Sequence, residues 1–464
     1  MKPLIALLAI LVVLSFQVAL AQAVNASELE KQLDEAVPAI LQRTGNPSAS
    51  VAVVLNARLA VLKAYGDSRL SPATPSSIKL RYGIGSISKQ FTAAAVLLLA
   101  EEGKLSLDDP VSKYHPDVHN SGSVTVRELL THTAGYRDDL PDNFVPVWMA
   151  KPTTPVQVLK QWAHAPLDFV PGTKFEYSNT DYIIAGLVIE KVSGMNLSSF
   201  FVDRIFRPLD MHSAAFITDS VPSNVDVTGY FRYALGSPRP AILQAPGWLY
   251  GGGELLMDAE DLAKWDISIL NESLLEHHSY RELEKDTLLK NGMATGYGLG
   301  LRLSMVQGHR RLEHAGEISG FYAENIQLPD DKAAVVVLTN MEVPAAATEI
   351  ADGVIDMVLR GSQESAGSEE RVRRVLVGLQ HGSINRNELN ADANAYFNDQ
   401  ALHDFETSLA PLGSILSLSK GEVSKRAGQR FLNYVVRFQS ASILVKTAED
   451  KDGKFAQFLI EPTK

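Results

Sequence analysis

Two hydrophobic periods alternate along this chain. Ser27 to Arg43 carries apolar positions at helical spacing and reads as an amphipathic helix ended near Gly45. Ser50 to Leu55 and Leu59 to Tyr65 are short apolar runs with strand character, predicting a hairpin. Gln90 to Glu102 is apolar on nearly all sides and is stopped by Gly103, the signature of a buried helix. Later, Tyr297–Ser304, Arg311–His314, Ala323–Leu328 and Ala333–Leu338 read as strands, and Pro344 to Arg360 as a closing helix. Strands at both ends with helices between them predict one antiparallel sheet built from distant segments, flanked by helices and carrying a helical insert.

The pattern changes after Arg360. Gly361 to Ser368 is small, polar and without periodicity, the composition of a linker. Beyond it, Glu369–Leu379 and Ala395–Ser408 read as helices. Ile415–Val423, Arg430–Gln439, Ser442–Thr447 and Phe455–Ile460 read as consecutive strands, with Asp452-Gly453 as a hairpin turn. Helices followed by an antiparallel meander predict a small α+β domain. The expected organisation is a leader over 1–23, a first domain over 24–360, a linker over 361–368 and a second domain over 369–464.

The leader follows from Lys2, the apolar run Leu4 to Leu20, and the small residues around Ala21 and Ala23. This is the pattern of a secretory signal peptide, with the mature chain starting near Gln22 or Val24. A retained membrane anchor is the alternative. No later stretch has the roughly 18 apolar residues of a spanning helix. A secreted or periplasmic protein is expected, without an integral span after signal removal.

Composition narrows the chemistry. The 464 residues carry a net charge of −11, which argues against a nucleic-acid partner. The acidity belongs to the first domain, because the residues from Ser368 onward hold 13 basic and 12 acidic side chains. There is no cysteine, so thiol catalysis and thiolate metal sites are excluded and any covalent nucleophile is an oxygen or an amine.

Three short motifs carry candidate chemistry. Ser86-Ile-Ser-Lys89 opens the buried helix, and residues i and i+3 share a helix face, so the two side chains can meet. Lys89 leads into an apolar run, where desolvation lowers an amine's pKa and frees it as a base. Ser-x-x-Lys also occurs at Ser76/Lys79 and Ser417/Lys420. Only the first copy follows Gly83-Ile-Gly85 and enters a buried helix. Tyr177-Ser-Asn179 places a phenol and an amide two residues apart, able to shuttle a proton and to hold a carbonyl or an amine. Tyr396-Phe-Asn398 repeats it, and a tyrosine packed at a turn is the plainer reading. His314-Ala-Gly316-Glu317 lies on a strand edge, where the glycine lets a substrate approach. The Glu317 N–H could then join that of Ser86 as an oxyanion donor.

In this order the three motifs resemble the serine β-lactamase and penicillin-binding-protein superfamily, whose signature includes the Ser-x-x-Lys nucleophile. The resemblance is to its class C-like branch, which also holds esterases, D-aminopeptidases and DD-carboxypeptidases. Leu129-Leu-Thr-His132-Thr-Ala-Gly135, Arg207-Pro-Leu-Asp-Met211, Gly251-Gly-Gly253 and Gly296-Tyr-Gly-Leu-Gly300 also resemble that branch, over about Ser27 to Arg360. The resemblance implies a β-lactamase/transpeptidase-like α/β (α+β) fold. Ser86 would be the acylated nucleophile, Lys89 and Tyr177 the acid–base pair, and Asn179, His314, Gly316 and Glu317 substrate-binding positions. His314-Ala315 stands where β-lactamases of the branch have Lys-Thr, so a fixed charge and a hydroxyl are lost. The segment from Glu369 resembles nuclear-transport-factor-like domains, which often bind ligands or dimerise.

The expectation is a secreted serine hydrolase acting on a small ester, amide or peptide through a Ser86 acyl-enzyme, with no cofactor and no metal. A DD-carboxypeptidase, D-aminopeptidase or weak β-lactamase is the alternative, and a non-catalytic peptide- or penicillin-binding protein is the rival of another class. Dimerisation through the second domain is a further expectation. His132 reads as a structural turn residue. His278 and Glu282 have helical metal-ligand spacing but no third ligand near. Gly251–Gly253 reads as backbone that approaches the cleft.

Overall fold

The computed structural model describes residues 26–138, 140, 145–217, 226–234, 236–426 and 429–463. The leader expected over 1–23 and part of the expected helical insert, near Asp138–Trp148, lie outside the described residues. The chain divides into two compact units. One is Gln32–Ile355, and the other is Asp356–Lys464 together with the segment up to Lys31.

The larger unit begins in a helix over residues 26–44 (α1). It is followed by β1 (Ser48–Leu55), β2 (Arg58–Leu70) and β3 (Ala73–Pro75). The buried helix predicted from Gln90 runs over Ser88–Glu101 (α2), directly after a short 3₁₀ turn at Gly85–Ile87. A second almost wholly buried helix, α3, spans Asn179–Ser193. The chain then returns to the sheet through β4 (Arg302–Val306), β5 (His309–Ile318), β6 (Phe321–Leu328) and β7 (Ala333–Thr339).

These strands form one antiparallel seven-stranded sheet in the order β3-β2-β1-β7-β6-β5-β4. Its centre pairs the N-terminal β1 with the late β7, in the register Val51↔Val337. Every residue of β7, Ala-Ala-Val-Val-Val-Leu-Thr, is buried. A strand covered on both faces has no polar face to alternate with, which is why it reads as a continuous apolar run. The β4–β5 register ends at Arg302↔Glu313, so His314 to Ile318 extend past the end of β4.

Three predicted elements differ, two of them before the last part of the chain. The strand expected over Tyr297–Ser304 is regular only from Arg302. Before it, Gly300 has φ +74°, and a Cβ there would lie 2.8 Å from the Lys89 carbonyl oxygen. The chain is pressed against the start of α2 and cannot join the ladder until it clears it. The predicted linker is helical: one helix, α4, runs over Pro344–Gln380. Gly361 and Gly367 are the weak helix formers in that stretch, and Ser, Gln, Glu and Ala between them are tolerated in a helix.

In the smaller unit, the last part of α4 is followed by short helices at Ala391–Tyr396 and Asp399–Leu409. The single helix expected there is interrupted, because Phe397 is buried and Asn398 caps a new helix by accepting the Ala401 N–H. Four strands then pair consecutively as an antiparallel meander: β8 (Ile415–Arg426), β9 (Gln429–Phe438), β10 (Ser442–Glu449) and β11 (Phe455–Pro462). Among the described residues no single helix is long and apolar enough to cross a membrane.

Candidate active site

The site is built where α2, α3 and β5 meet. From Tyr82 to Leu99 every residue is buried except Ser86, which keeps partial exposure. The turn before α2 therefore lifts one hydroxyl out of the core. Lys89, one helical turn on, is fully buried. Its Nζ lies 3.0 Å from Ser86 Oγ and donates to Asn179 Oδ1 (2.7 Å) and to the Gly252 carbonyl (2.7 Å). Two of the three contacts are oxygens that can only accept, so two N–H bonds are committed to them. The remaining direction of the amine points at Ser86. Burial holds Lys89 down to about 7, against the opposing pull of Asp138 and Asp181. A neutral amine with its lone pair aimed at a hydroxyl is a general base within reach of its proton.

Asn179 opens α3 and its amide is held at both ends. Its Oδ1 accepts from Lys89, while its backbone N–H and its Nδ2 both donate to Asp138 Oδ2 at 2.8 Å. Tyr177 stands two residues before it, its ring 4.8 Å from Lys89 Nζ. The Tyr177 hydroxyl is shut off from solvent and makes no protein hydrogen bond of good geometry. Burial pushes this phenol well up, and the neighbouring Ser86 hydroxyl pulls it partly back. It is a neutral phenol that can give or relay a proton.

His132 packs its ring 4.3 Å from that of Tyr177 and faces the Ser178 N–H and Asp181 Oδ2, each at 3.2 Å. Burial lowers His132 well below its ordinary value, and the Lys89 charge adds to this. Burial raises Asp181 well above its own, with Asp138 adding to the effect. His132 is therefore uncharged, and its ring packs against the tyrosine. The turn residue of the sequence thus supports the site.

On the other wall, β5 brings His314, Gly316 and Glu317 alongside the Ser86 turn. Gly316 cannot be another residue: a Cβ there would sit 1.9 Å from the Ile84 carbonyl oxygen. That close approach carries the Glu317 backbone past Gly85, beside the Ser86 turn. His314 is buried, and both ring nitrogens are engaged. Nδ1 donates to the Ala315 carbonyl at 2.6 Å, and Nε2 accepts from the Tyr297 hydroxyl at 3.0 Å. Burial, and after it the Lys89 charge, hold His314 down to about 3. This histidine is uncharged. Fixed positive charge reaches the cluster from exposed Arg302, which acts on His132, Tyr177 and His314.

The sequence reading did not single out Asp138, Asp181, Tyr297 or Arg302. Asp138 had a faint signal, three residues after the Thr-Ala-Gly turn. Tyr297 lies within the Gly296–Gly300 segment, which resembles the branch without marking a role for the phenol; Asp181 and Arg302 have no signal, because only the fold brings them to the site. The repeated motifs are spent elsewhere. Ser76 bonds Tyr82, Lys79 pairs with Glu260, and Ser417 and Lys420 lie on a strand of the other unit. Glu282 pairs with Arg127, and no group of three metal-binding side chains occurs among the described residues.

The profile of the family described as Beta-lactamase matches residues 33–358. The D-aminopeptidase of Brucella ovis is 28% identical over 314 residues, which are 67% of this chain and 59% of that protein. Protein flp of Staphylococcus aureus is 27% identical over 331 residues, 68% of this chain and 64% of that one. The chain thus spans about three fifths of the curated relatives it matches. Among solved structures, a D-stereospecific amidohydrolase from Streptomyces is 26% identical with a TM-score of 0.58, covering 68% of this chain and 96% of that one. The octameric penicillin-binding protein homologue from Pyrococcus abyssi is 22% identical with a TM-score of 0.59, over 94% of this chain and 99% of that one.

Proposed function

This chain belongs to the Beta-lactamase family, and we propose that it is a secreted serine hydrolase that cleaves an amide or peptide bond next to a D-amino acid through an acyl-enzyme on Ser86. The observation that carries this reading is the Lys89 amine, buried beside Ser86 with its other contacts committed to two acceptors. Ser86 Oγ bonds to the substrate carbonyl carbon as its proton passes to Lys89. The oxyanion is held by the N–H groups of Ser86 and Glu317. The C–N bond then breaks, and the leaving amine takes a proton from Tyr177 or Lys89. Water then adds to the acyl carbon as Lys89 removes its proton, the ester C–O bond breaks with that proton returned to Ser86 Oγ, and the acid leaves.

The uncharged His314 argues against efficient β-lactam hydrolysis, because no fixed cation stands at that position to hold a carboxylate. The relatives' names favour amides and peptides of D-amino acids over simple esters. Secretion rests on the Leu4–Leu20 run and the small residues after it. Self-association through the smaller unit is the reading of its open four-stranded sheet. The deciding experiment is a panel of D- and L-amino acid amides, short-chain p-nitrophenyl esters and a chromogenic cephalosporin. We expect the D-amides to give the highest kcat/KM. A preference of more than tenfold for the cephalosporin would overturn the assignment.

A further inference from the structure

His132 follows the short helix Val126–Leu130 with φ +55°, in the left-handed region. Glycine enters that region freely, while a residue with a Cβ enters it at a cost. A glycine would therefore fill this turn more cheaply. What retains an imidazole must be what it touches, and those contacts converge on Tyr177. The His132 carbonyl accepts the Glu176 N–H at 2.9 Å, and its Nδ1 faces the Ser178 N–H at 3.2 Å. These two residues flank the tyrosine, so one histidine grips the chain on both sides of the phenol. The pairing continues outward, where the Thr133 carbonyl accepts the Gly172 N–H at 2.8 Å.

The ring holds the phenol as well. It packs on Tyr177 with centroids 4.3 Å apart, and Tyr182, Tyr297 and Phe175 surround it at 5.1, 5.1 and 6.1 Å. His132 is wholly buried, so close packing fixes the ring where it is. The Tyr177 hydroxyl reaches toward Ser86, so its aim is set by its ring and its backbone. His132 secures both. A phenylalanine would keep the packing but strand the buried Ser178 N–H, and a glycine would lose the packing. An imidazole with its proton on Nε2 supplies both. Asp181 Oδ2 also lies 3.2 Å from Nδ1. Burial raises Asp181 well above its ordinary value, which favours Nδ1 as an acceptor.

We propose that His132 is a positioning residue, which aims the Tyr177 hydroxyl at the leaving group of the substrate. The leaving amine of an amide needs a proton, whereas p-nitrophenolate departs as a stable anion. Amide cleavage therefore depends on His132 more than p-nitrophenyl ester cleavage does. This rests on the hydrolase reading above and assigns the leaving-group proton to Tyr177.

The test compares D-alaninamide with p-nitrophenyl acetate on the full-length wild type, His132→Asn and His132→Gly. A fluorophosphonate probe reports the state of Ser86 in each. Both replacements suit φ +55°, so the turn is kept. Each should lower kcat for the amide by about 10²-fold, the cost of a misplaced catalytic group. The loss on the ester should be at least about tenfold smaller. In a Tyr177→Phe background either replacement should cost less than about threefold more, because the group it aims is gone. Equal losses on amide and ester, or losses that multiply in the Tyr177→Phe background, would reduce His132 to a support for the fold. If neither variant folds, or D-alaninamide is not cleaved, histidine-selective nitrogen NMR of the wild type and Tyr177→Phe decides. A ring with an unprotonated Nδ1 should shift when the phenol is removed. If every ring that shifts carries its proton on Nδ1, the grip on Ser178 is absent and the proposal is overturned. If Ser86 is not labelled in the folded wild type, the hydrolase reading itself fails, and the two failures are thus distinguishable.

Discussion

Lys89 and Gln90 are adjacent on α2, and each enters a buried polar network of a different kind. Lys89 reaches Ser86, Asn179 and Gly252 in a cluster that keeps an opening to the cleft. Gln90 turns the other way. Its Nε2 donates to Asn325 Oδ1 at 2.9 Å, and its Oε1 accepts from Trp265 Nε1 at 2.8 Å. Asn325 and Gln327 in turn donate to Asp266, at 2.6 to 2.9 Å. All of these residues are buried. Both networks bury a titratable group. In the second, amide donors close around the carboxylate and leave no substrate path. In the first, Ser86 and Asp138 stay partly exposed and the Tyr177 hydroxyl is left without a firm partner. Packing neighbours of the same polarity become chemistry or scaffold according to what is left unpaired at the cleft.

The largest expected contrast is between substitutions at these two neighbours. Lys89→Met should lower kcat/KM by about 10²- to 10⁴-fold, the usual worth of a positioned base. Gln90→Leu should leave the rate within about tenfold. It should instead destabilise the protein by about 1–3 kcal/mol, because it strands the Trp265 and Asn325 groups. Comparable rate losses at both positions would erase the distinction. Kinetics paired with denaturant titration reads both.

A second contrast is in pH. The acid limb of kcat/KM should fall near pH 7, where Lys89 takes up its proton. Stability should respond with opposite slopes. Lys89 is held below its ordinary 10.5, so between about pH 7 and 10.5 the unfolded chain binds more protons and stability rises with pH. Burial raises Asp266 from 3.8 to about 8, so its contribution is present at low pH and is lost as pH rises through about 8. Melting temperatures across pH should show Lys89→Met removing the upper slope and Asp266→Asn the lower one. Unchanged slopes in either variant would mean that the group is not titrating in the fold.

A smaller effect tests the wall that lacks a lysine. His314→Lys would put a cation where the neutral ring bonds Tyr297. We expect amide turnover to fall about tenfold or less and acylation by penicillin to speed up, measured as probe-competition rates. Slower penicillin acylation would contradict the reading of His314 as the missing charge.

Much of the scaffold was legible in the sequence because its signals are local. The all-apolar run after Lys89 marked a buried helix, and Ala333–Leu338 marked a strand covered on both faces. The site was legible only as far as short motifs reach. Ser86 and Lys89 are i and i+3 on one helix, and Tyr177 and Asn179 are two apart. Asp138, Asp181, Tyr297 and Arg302 join them through tertiary contacts that no spacing announces. The helix through Gly361–Ser368 was missed for a related reason. Composition without periodicity reads as a linker, although its residues tolerate a helix that flanking turns propagate.

The most direct measurement is mass spectrometry of the intact protein after treatment with a fluorophosphonate, with the modified peptide sequenced. We expect a single adduct on Ser86, formed at a rate that falls by at least about 10²-fold in Lys89→Met while the variant stays folded. A folded wild-type protein with no adduct, or with the adduct on another serine, would contradict the assignment of Ser86 as the nucleophile.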